Sequence, residues 1–415
     1  MDAPVSDRIA APAAGADIRW RLLTILTASY GAGAFGMLGI SPLSPSLVEG
    51  LGLTRFQVAF IVPSIYLAGL LFSLPGGRLA DRLGVRPAFL GGLALGAVAL
   101  LAAALAPGFP AFLACLFVAG AGWSVVNPTL GKAIMDVFPV RERGIAMGVK
   151  QMGLTIGGVI SALALPAIAA ALGWRAAVGA CALVVALPVA LGWRPLGVFG
   201  PGGRASGVES RASGSSWWWA RRPALVVFFA IGFVLGMVQA AVLSYLPLFT
   251  IQALGFHKIG AGLLVAASQA GGAVSRLALG AASDRWFTGR RSLWLTFTGV
   301  VGAAIFGLYA SWHATAPLAA GLLAFATGVG AYGWVGIFFV ISAEAGGPRE
   351  AGLLSGVAFA AIVLGLLVGP PIFGSLLEAA NSYRLAWAVF AALSALVALV
   401  ALLAGPAIDR ESSRR

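Results

Sequence analysis

Charge is the scarcest commodity in this chain: of 415 residues only 10% are Asp, Glu, Lys or Arg, while 60% are hydrophobic. A water-soluble protein of this length needs far more charge to cover its surface, so the composition excludes a soluble globular fold and indicates a membrane-embedded one. Cysteine is almost missing, and Cys115 and Cys181 both sit inside apolar runs. That excludes a disulfide framework and a cysteine-based metal site. Histidine is equally rare: His257 and His313 fall at predicted outer helix ends and take no relay role. No metal cluster, nucleophile–base arrangement or phosphate loop stands out, so neither an enzyme nor a cofactor is expected. The glycine-rich stretch GAGAFGMLG lies inside an apolar run, where a nucleotide loop has no place.

What the chain has instead is apolar length. A spanning helix needs about 20 apolar residues, and twelve stretches qualify: 20–41, 56–76, 86–106, 111–136, 144–171, 174–193, 223–248, 259–281, 292–312, 316–343, 351–377 and 383–405. The first run, Leu22 to Ile40, is too long for a secretory signal, and Gly39-Ile40-Ser41-Pro42 lacks an A-x-A cleavage pattern. The expected architecture is all-α, with an N-terminal tail (1–19), a six-helix bundle (20–193), a linker (194–222), a second six-helix bundle (223–405) and a C-terminal tail (406–415). The linker RPLGVFGPGGRASGVESRASGSSWWWARR has the Gly, Ser and Arg content of a flexible segment. Its Trp217 to Trp219, followed by Arg221 and Arg222, read as an interfacial anchor for the seventh span.

Lys and Arg outnumber Asp and Glu by 27 to 14, for a net charge of +13. With the amino terminus inside, the outer loops hold only Arg55, Arg175, Lys258 and Arg384, and most other bases fall on the cytoplasmic side. This positive-inside bias predicts that both termini are cytoplasmic. The basic excess then serves topology and anionic membrane lipid rather than nucleic acid.

The halves repeat. GGRLADRLGVRP (Gly76 to Pro87) ends span two and LGAASDRWFTGRR (Leu279 to Arg291) ends span eight, each with Gly, three residues and Asp-Arg. Duplicated bundles place a site between them. Spans three, six and twelve are almost purely Ala, Leu, Val and Gly and are expected at the lipid-facing periphery. Most of the other spans carry polar residues, among them Tyr30, Tyr66, Asn127, Lys150, Gln151, Gln239, Tyr245, Gln269, Arg276, Tyr332 and Trp334, which are expected around a central cavity. Gly144/Gly148 and Gly153/Gly157 in span five have the small-xxx-small spacing that permits close helix contact.

Arg276 lies eight residues before Asp284, which marks the cytoplasmic membrane edge. At 1.5 Å per residue it sits about 12 Å deep. Facing lipid there costs at least about 2.5 kcal/mol, so the side chain is expected to point into the cavity, with Gln269 on the same helix face. The spans contain almost no Asp or Glu to pair with it, and a guanidinium fork suits a carboxylate or similar oxyanion. Lys150 sits about 10 Å inside span five, counting from Arg143, with Gln151 next to it; snorkelling toward the cytoplasm is its competing explanation. Lys132, four residues before Asp136, reads as snorkelling or paired with that acid. Tyr30, Tyr66, Asn127 and Trp334 are candidate cavity walls, with core packing an equal explanation for each.

The segment Gly77-Arg-Leu-Ala-Asp81-Arg82-Leu-Gly84-Val-Arg86 resembles the G-x-x-x-D-R-x-G-x-R loop of the major facilitator superfamily, at the position where that superfamily has it. With twelve spans, a central linker and the second copy, the resemblance covers the whole chain. It implies a secondary transporter in the cell inner membrane, working as a monomer by alternating access. It also implies a cytoplasmic gate: Asp81 facing the amino end of span eleven, Arg82 and Arg86 pairing with Asp136, Gly77 and Gly84 allowing close approach, and Asp284 and Arg285 as the repeated element. An arginine eight residues before the second Asp-Arg is similar to the arrangement in anion-transporting members: oxalate–formate exchangers, monocarboxylate transporters and nitrate porters. The chain departs from nitrate porters at Ser73, where they carry arginine, and from oxalate exchangers at Ala358, where they carry lysine. The cargo implied is a small organic anion, monocarboxylate-like, with Arg276, Lys150, Gln151 and Gln269 binding it, moved by proton symport or by anion exchange. The alternative is a proton-coupled exporter of drugs or neutral metabolites. Against it, span one has no acid, the span-five efflux motif lacks its Pro, and a cationic cavity repels cationic drugs.

Overall fold

The protein's computed structural model describes residues 16–139, 142–191, 218–286, 290–311 and 316–413. Residues 194–217 of the expected linker, with Trp217, and also His313, lie outside this set. The regular elements among the described residues are all helices, as spanning segments must be where no water is present to satisfy an open backbone.

Span one is Ala16–Leu38, span two Ile61–Leu83, span three Val85–Ala104 and span four Phe109–Val137. Spans five and six form one stretch, Arg143–Leu191, broken only at Gly173, whose φ of 86° and ψ of 164° only a residue without Cβ adopts readily. In the second half, span seven is Pro223–Gln252, span eight Lys258–Trp286 and span nine Ser292–Ser311. Span twelve is Tyr383–Ser413. Span ten is interrupted, which the hydrophobic pattern did not announce. It runs Pro317–Tyr332, turns through Gly333 and Trp334, and resumes in Val335–Ala380, a stretch that a break at Gly347 divides into the end of span ten and all of span eleven. A short helix, Ser44–Leu51, joins spans one and two. The expected anchor packs inward at Trp219, whose ring meets Phe229 edge-on with centroids 5.3 Å apart.

Lipid tails are as apolar as leucine, so helices in a membrane associate by close packing rather than by expulsion of apolar surface. The two halves solve this with the same pairs. Spans one and five touch backbone to backbone, where a methyl group on Gly157 would overlap the Gly31 carbonyl and one on Gly153 the Thr27 carbonyl. Spans seven and eleven repeat the contact at Gly365 against Phe233 and Gly369 against Met237. Spans two and four meet at Gly120 against Ile65, and spans eight and ten at Gly328 against Ser268. Gly148 has nothing within 4 Å of an added Cβ.

The halves meet on the face away from the termini. Span five meets span eight there, Gly158 lying beside Gln269 and Gly262 beside Ala162 and Pro166. Polar links gather on the same face. Lys258 Nζ lies 2.6 Å from Glu49 Oε2, and Arg55 donates to Asn381 Oδ1 at 2.9 Å. Tyr245 donates to the Arg55 carbonyl at 2.9 Å, and Ser41 donates to the Leu243 carbonyl. Gln151 lies on the same stripe of span five as Gly158 and Ala162, yet it is exposed.

Gly328→Ala forces a methyl group into the Ser268 carbonyl and should cost about 1–3 kcal/mol or more by overpacking. Gly148→Ala meets nothing and should be neutral or raise stability by about 0.5–1 kcal/mol through lost chain entropy. Thermal unfolding of the two detergent-purified variants checks the contrast.

Candidate functional site

Arg276 is placed by the packing of span eight on span ten. Gly271, Gly272, Gly328 and Gly333 all abut the opposing helix closely enough that a Cβ would collide. This brings Arg276 beside the interruption in span ten, where a helix end leaves carbonyls without intrahelical partners. Arg276 Nε donates to the Tyr332 carbonyl at 3.0 Å. Its two Nη nitrogens have no acceptor among the described residues, and the side chain is half-buried. Among the described residues no carboxylate lies within ion-pair distance of it.

Lys150 is placed by the glycine contacts of span five on span one. It lies on the same stripe as Gly153 and Gly157, so it faces span one and the adjoining span four rather than lipid. It is 7% exposed. Its Nζ lies 2.5 Å from Asn127 Oδ1 and 3.5 Å from the Asn127 carbonyl, and 5.3 Å from the centre of the Tyr30 ring. Tyr30 in turn stacks on Trp123 at 4.9 Å with 9° between the planes, and its hydroxyl is 3.5 Å from Asn127 Oδ1. An ammonium over a ring face with an amide oxygen for acceptor is stabilised without any acid.

The structure thus brings together Lys150, Asn127 and Tyr30, with Trp123 stacked behind, and it sets Arg276 against the Tyr332 carbonyl. Asn127 and Gln151 are exposed. Gln269 is half-buried against Gly158 in the seam, two turns above Arg276. Trp334 stands apart: it is 1% exposed, its indole N–H donates to the Ala331 carbonyl at 3.0 Å, and it meets Phe338 edge-on inside the second half's core. Two participants escaped the sequence reading of the site. Trp123 precedes Asn127 by one helical turn and shares its face, a spacing that was there to be read. The Tyr332 carbonyl is freed by a break whose only sequence sign is Gly333.

Of the expected gate, the side chains of Gly77, Asp81, Asp284 and Arg285 lie outside the described set. Gly84 caps the turn into span three at φ 86°, Arg82 and Asp136 are exposed, and Arg86 is half-buried.

A sequence profile described as the Major Facilitator Superfamily matches residues 24–365. The chain belongs to this superfamily. It is a multi-pass membrane transporter of small molecules, not an enzyme. It is similar to the probable sulfoacetate transporter SauU of Cupriavidus necator, 27% identical over 407 residues that cover 90% of this chain and 91% of that one. It is also similar to the 3-(3-hydroxy-phenyl)propionate transporter of Escherichia coli, 27% identical with 80% of each chain covered. A solved structure of a bacterial homolog of the human lysosomal transporter Spinster superposes with a TM-score of 0.73 at 16% identity, over 96% of this chain and 98% of that one.

Asn127→Ala removes the side-chain acceptor of Lys150 and should cost about 1–3 kcal/mol, read as a lower melting temperature. Asn127→Asp supplies a counter-ion instead and should melt at or above the wild type.

Proposed function

We propose that this transporter carries a small organic anion, monocarboxylate-like in presenting one carboxylate to Arg276, across the cell inner membrane with both termini in the cytoplasm. The observation that carries the reading is the guanidinium in mid-membrane: one N–H is committed to the Tyr332 carbonyl, and both Nη groups lack an acceptor among the described residues. A charge held at such depth is costly and marks a pathway or a ligand. A planar carboxylate matches the remaining fork with two parallel hydrogen bonds. The names of the relatives agree with this class, sulfoacetate and 3-(3-hydroxy-phenyl)propionate both being carboxylates.

Transport then proceeds by alternating access. In this reading the seam through Glu49, Arg55, Tyr245 and Lys258 closes the outer face while the chamber opens to the cytoplasm. Anion binding draws the halves together around Arg276 from the second and Lys150 from the first. The cytoplasmic side closes through Gly77, Asp81, Arg82, Gly84, Arg86 and Asp136, with Asp284 and Arg285 as their repeat. Proton symport and anion exchange both fit a chamber whose fixed charges are positive. The site is built within one chain, as a monomeric carrier requires.

Uptake of radiolabelled sulfoacetate and of 3-(3-hydroxyphenyl)propionate into proteoliposomes tests this. Wild type should accumulate at least one of them, and Arg276→Ala should lose it at least tenfold, about 1.4 kcal/mol or more of binding. Undiminished uptake by that variant overturns the site. Transport of cationic dyes with neither acid taken up supports the exporter reading.

A further inference from the structure

We propose that Lys150 with Asn127 forms a second anion subsite, and that the cargo therefore carries a second acidic group besides the carboxylate held by Arg276. The inference rests on the reading of Arg276 given above and extends it to the other half of the molecule.

The argument is one of charge. Lys150 belongs to the first half, with its Nζ over the Tyr30 ring, and Arg276 to the second, against the Tyr332 carbonyl. Neither has a carboxylate within ion-pair distance among the described residues, where Arg19, Lys258, Arg222 and Arg291 do. A monoanion bound at Arg276 neutralises one of these charges and leaves the other as the chamber closes and loses water. Asn127 and the Tyr30 ring steady that ammonium without neutralising it, and a full counter-charge binds a buried ammonium more strongly than neutral partners do. A cargo with two acidic groups neutralises both charges and joins the halves.

The subsite also has the donors for it. Lys150 Nζ occupies Asn127 Oδ1, which leaves the Asn127 Nδ2 hydrogens without an acceptor among the described residues, on an exposed side chain. Gln151 is exposed beside it. Ammonium and amide hydrogens converging from several directions suit the three oxygens of a sulfonate, whereas the flat fork of Arg276 suits a carboxylate. Snorkelling does not describe Lys150, because its Nζ is satisfied by Asn127 and Tyr30 within the bundle.

Size-matched probes test the subsite on the purified full chain. Sulfoacetate and malonate are compared with methanesulfonate, acetate and propionate in thermal-shift titrations at constant ionic strength. Wild type should bind each dianion at least tenfold more tightly than its matched monoanions. Lys150→Gln should erase that preference while still binding monoanions, Lys150→Arg should keep most of it, and Arg276→Gln should lose all five probes. Equal affinity of wild type for dianions and monoanions, or a preference that survives in Lys150→Gln, overturns the subsite and leaves the Arg276 reading standing. Unchanged binding in Arg276→Gln overturns that earlier reading instead. Failure of both dianions to bind wild type overturns the subsite as well.

Discussion

Backbone meeting backbone at glycine is the constraint on which the rest of this molecule stands. In hydrocarbon a larger apolar side chain earns nothing by leaving its surroundings, so helices hold one another only where they come very close. Gly153 and Gly157 do this for spans one and five, and Gly328 and Gly271 for spans eight and ten. The same contacts fix how each helix is rotated. They turn Lys150 toward Tyr30 and Asn127, and they set Arg276 against the gap in span ten. Packing and chemistry are thus one arrangement: a substitution that separates spans eight and ten also withdraws the carbonyl that orients the arginine.

The site's electrostatics follow from how sparingly charge is used. Each cation is held by neutral partners, Arg276 by a carbonyl and Lys150 by an amide oxygen and a ring face. Neutral acceptors steady a cation without cancelling it, so the positive potential of the chamber survives in the unliganded protein.

Much of this was legible in the chain. The twelve helices follow from the apolar runs, because helical rise turns residue counts into distance. Gly153 and Gly157 announced close contact correctly, and the tight turn between spans five and six falls at Gly173. The interruption of span ten was not legible, since Tyr332, Gly333 and Trp334 stay within a continuous apolar run and keep near-helical dihedral angles. Nor could the sequence tell which side of its helix Trp334 occupies. Aromatic residues serve a ligand wall and a core equally well, and neighbours distant in sequence, here Phe338's packing partners in span seven, decided for the core. The pairing of Lys150 with Asn127 spans 23 residues and two helices, beyond the reach of any local pattern.

The outer seam has a consequence for how readily the transporter changes shape. Its ion pair is made by side chains that keep 30% and 63% of their surface in water, and its Arg55–Asn381 bond is exposed as well. Links of this kind are individually worth about 0–1 kcal/mol. These two links are clasps able to trade their partners for solvent, whereas the Ser41 bond to the Leu243 carbonyl is buried. A carrier that must undo this face once per turnover is better served by clasps, because the two end states then stay close in free energy and the cargo alone tips the balance.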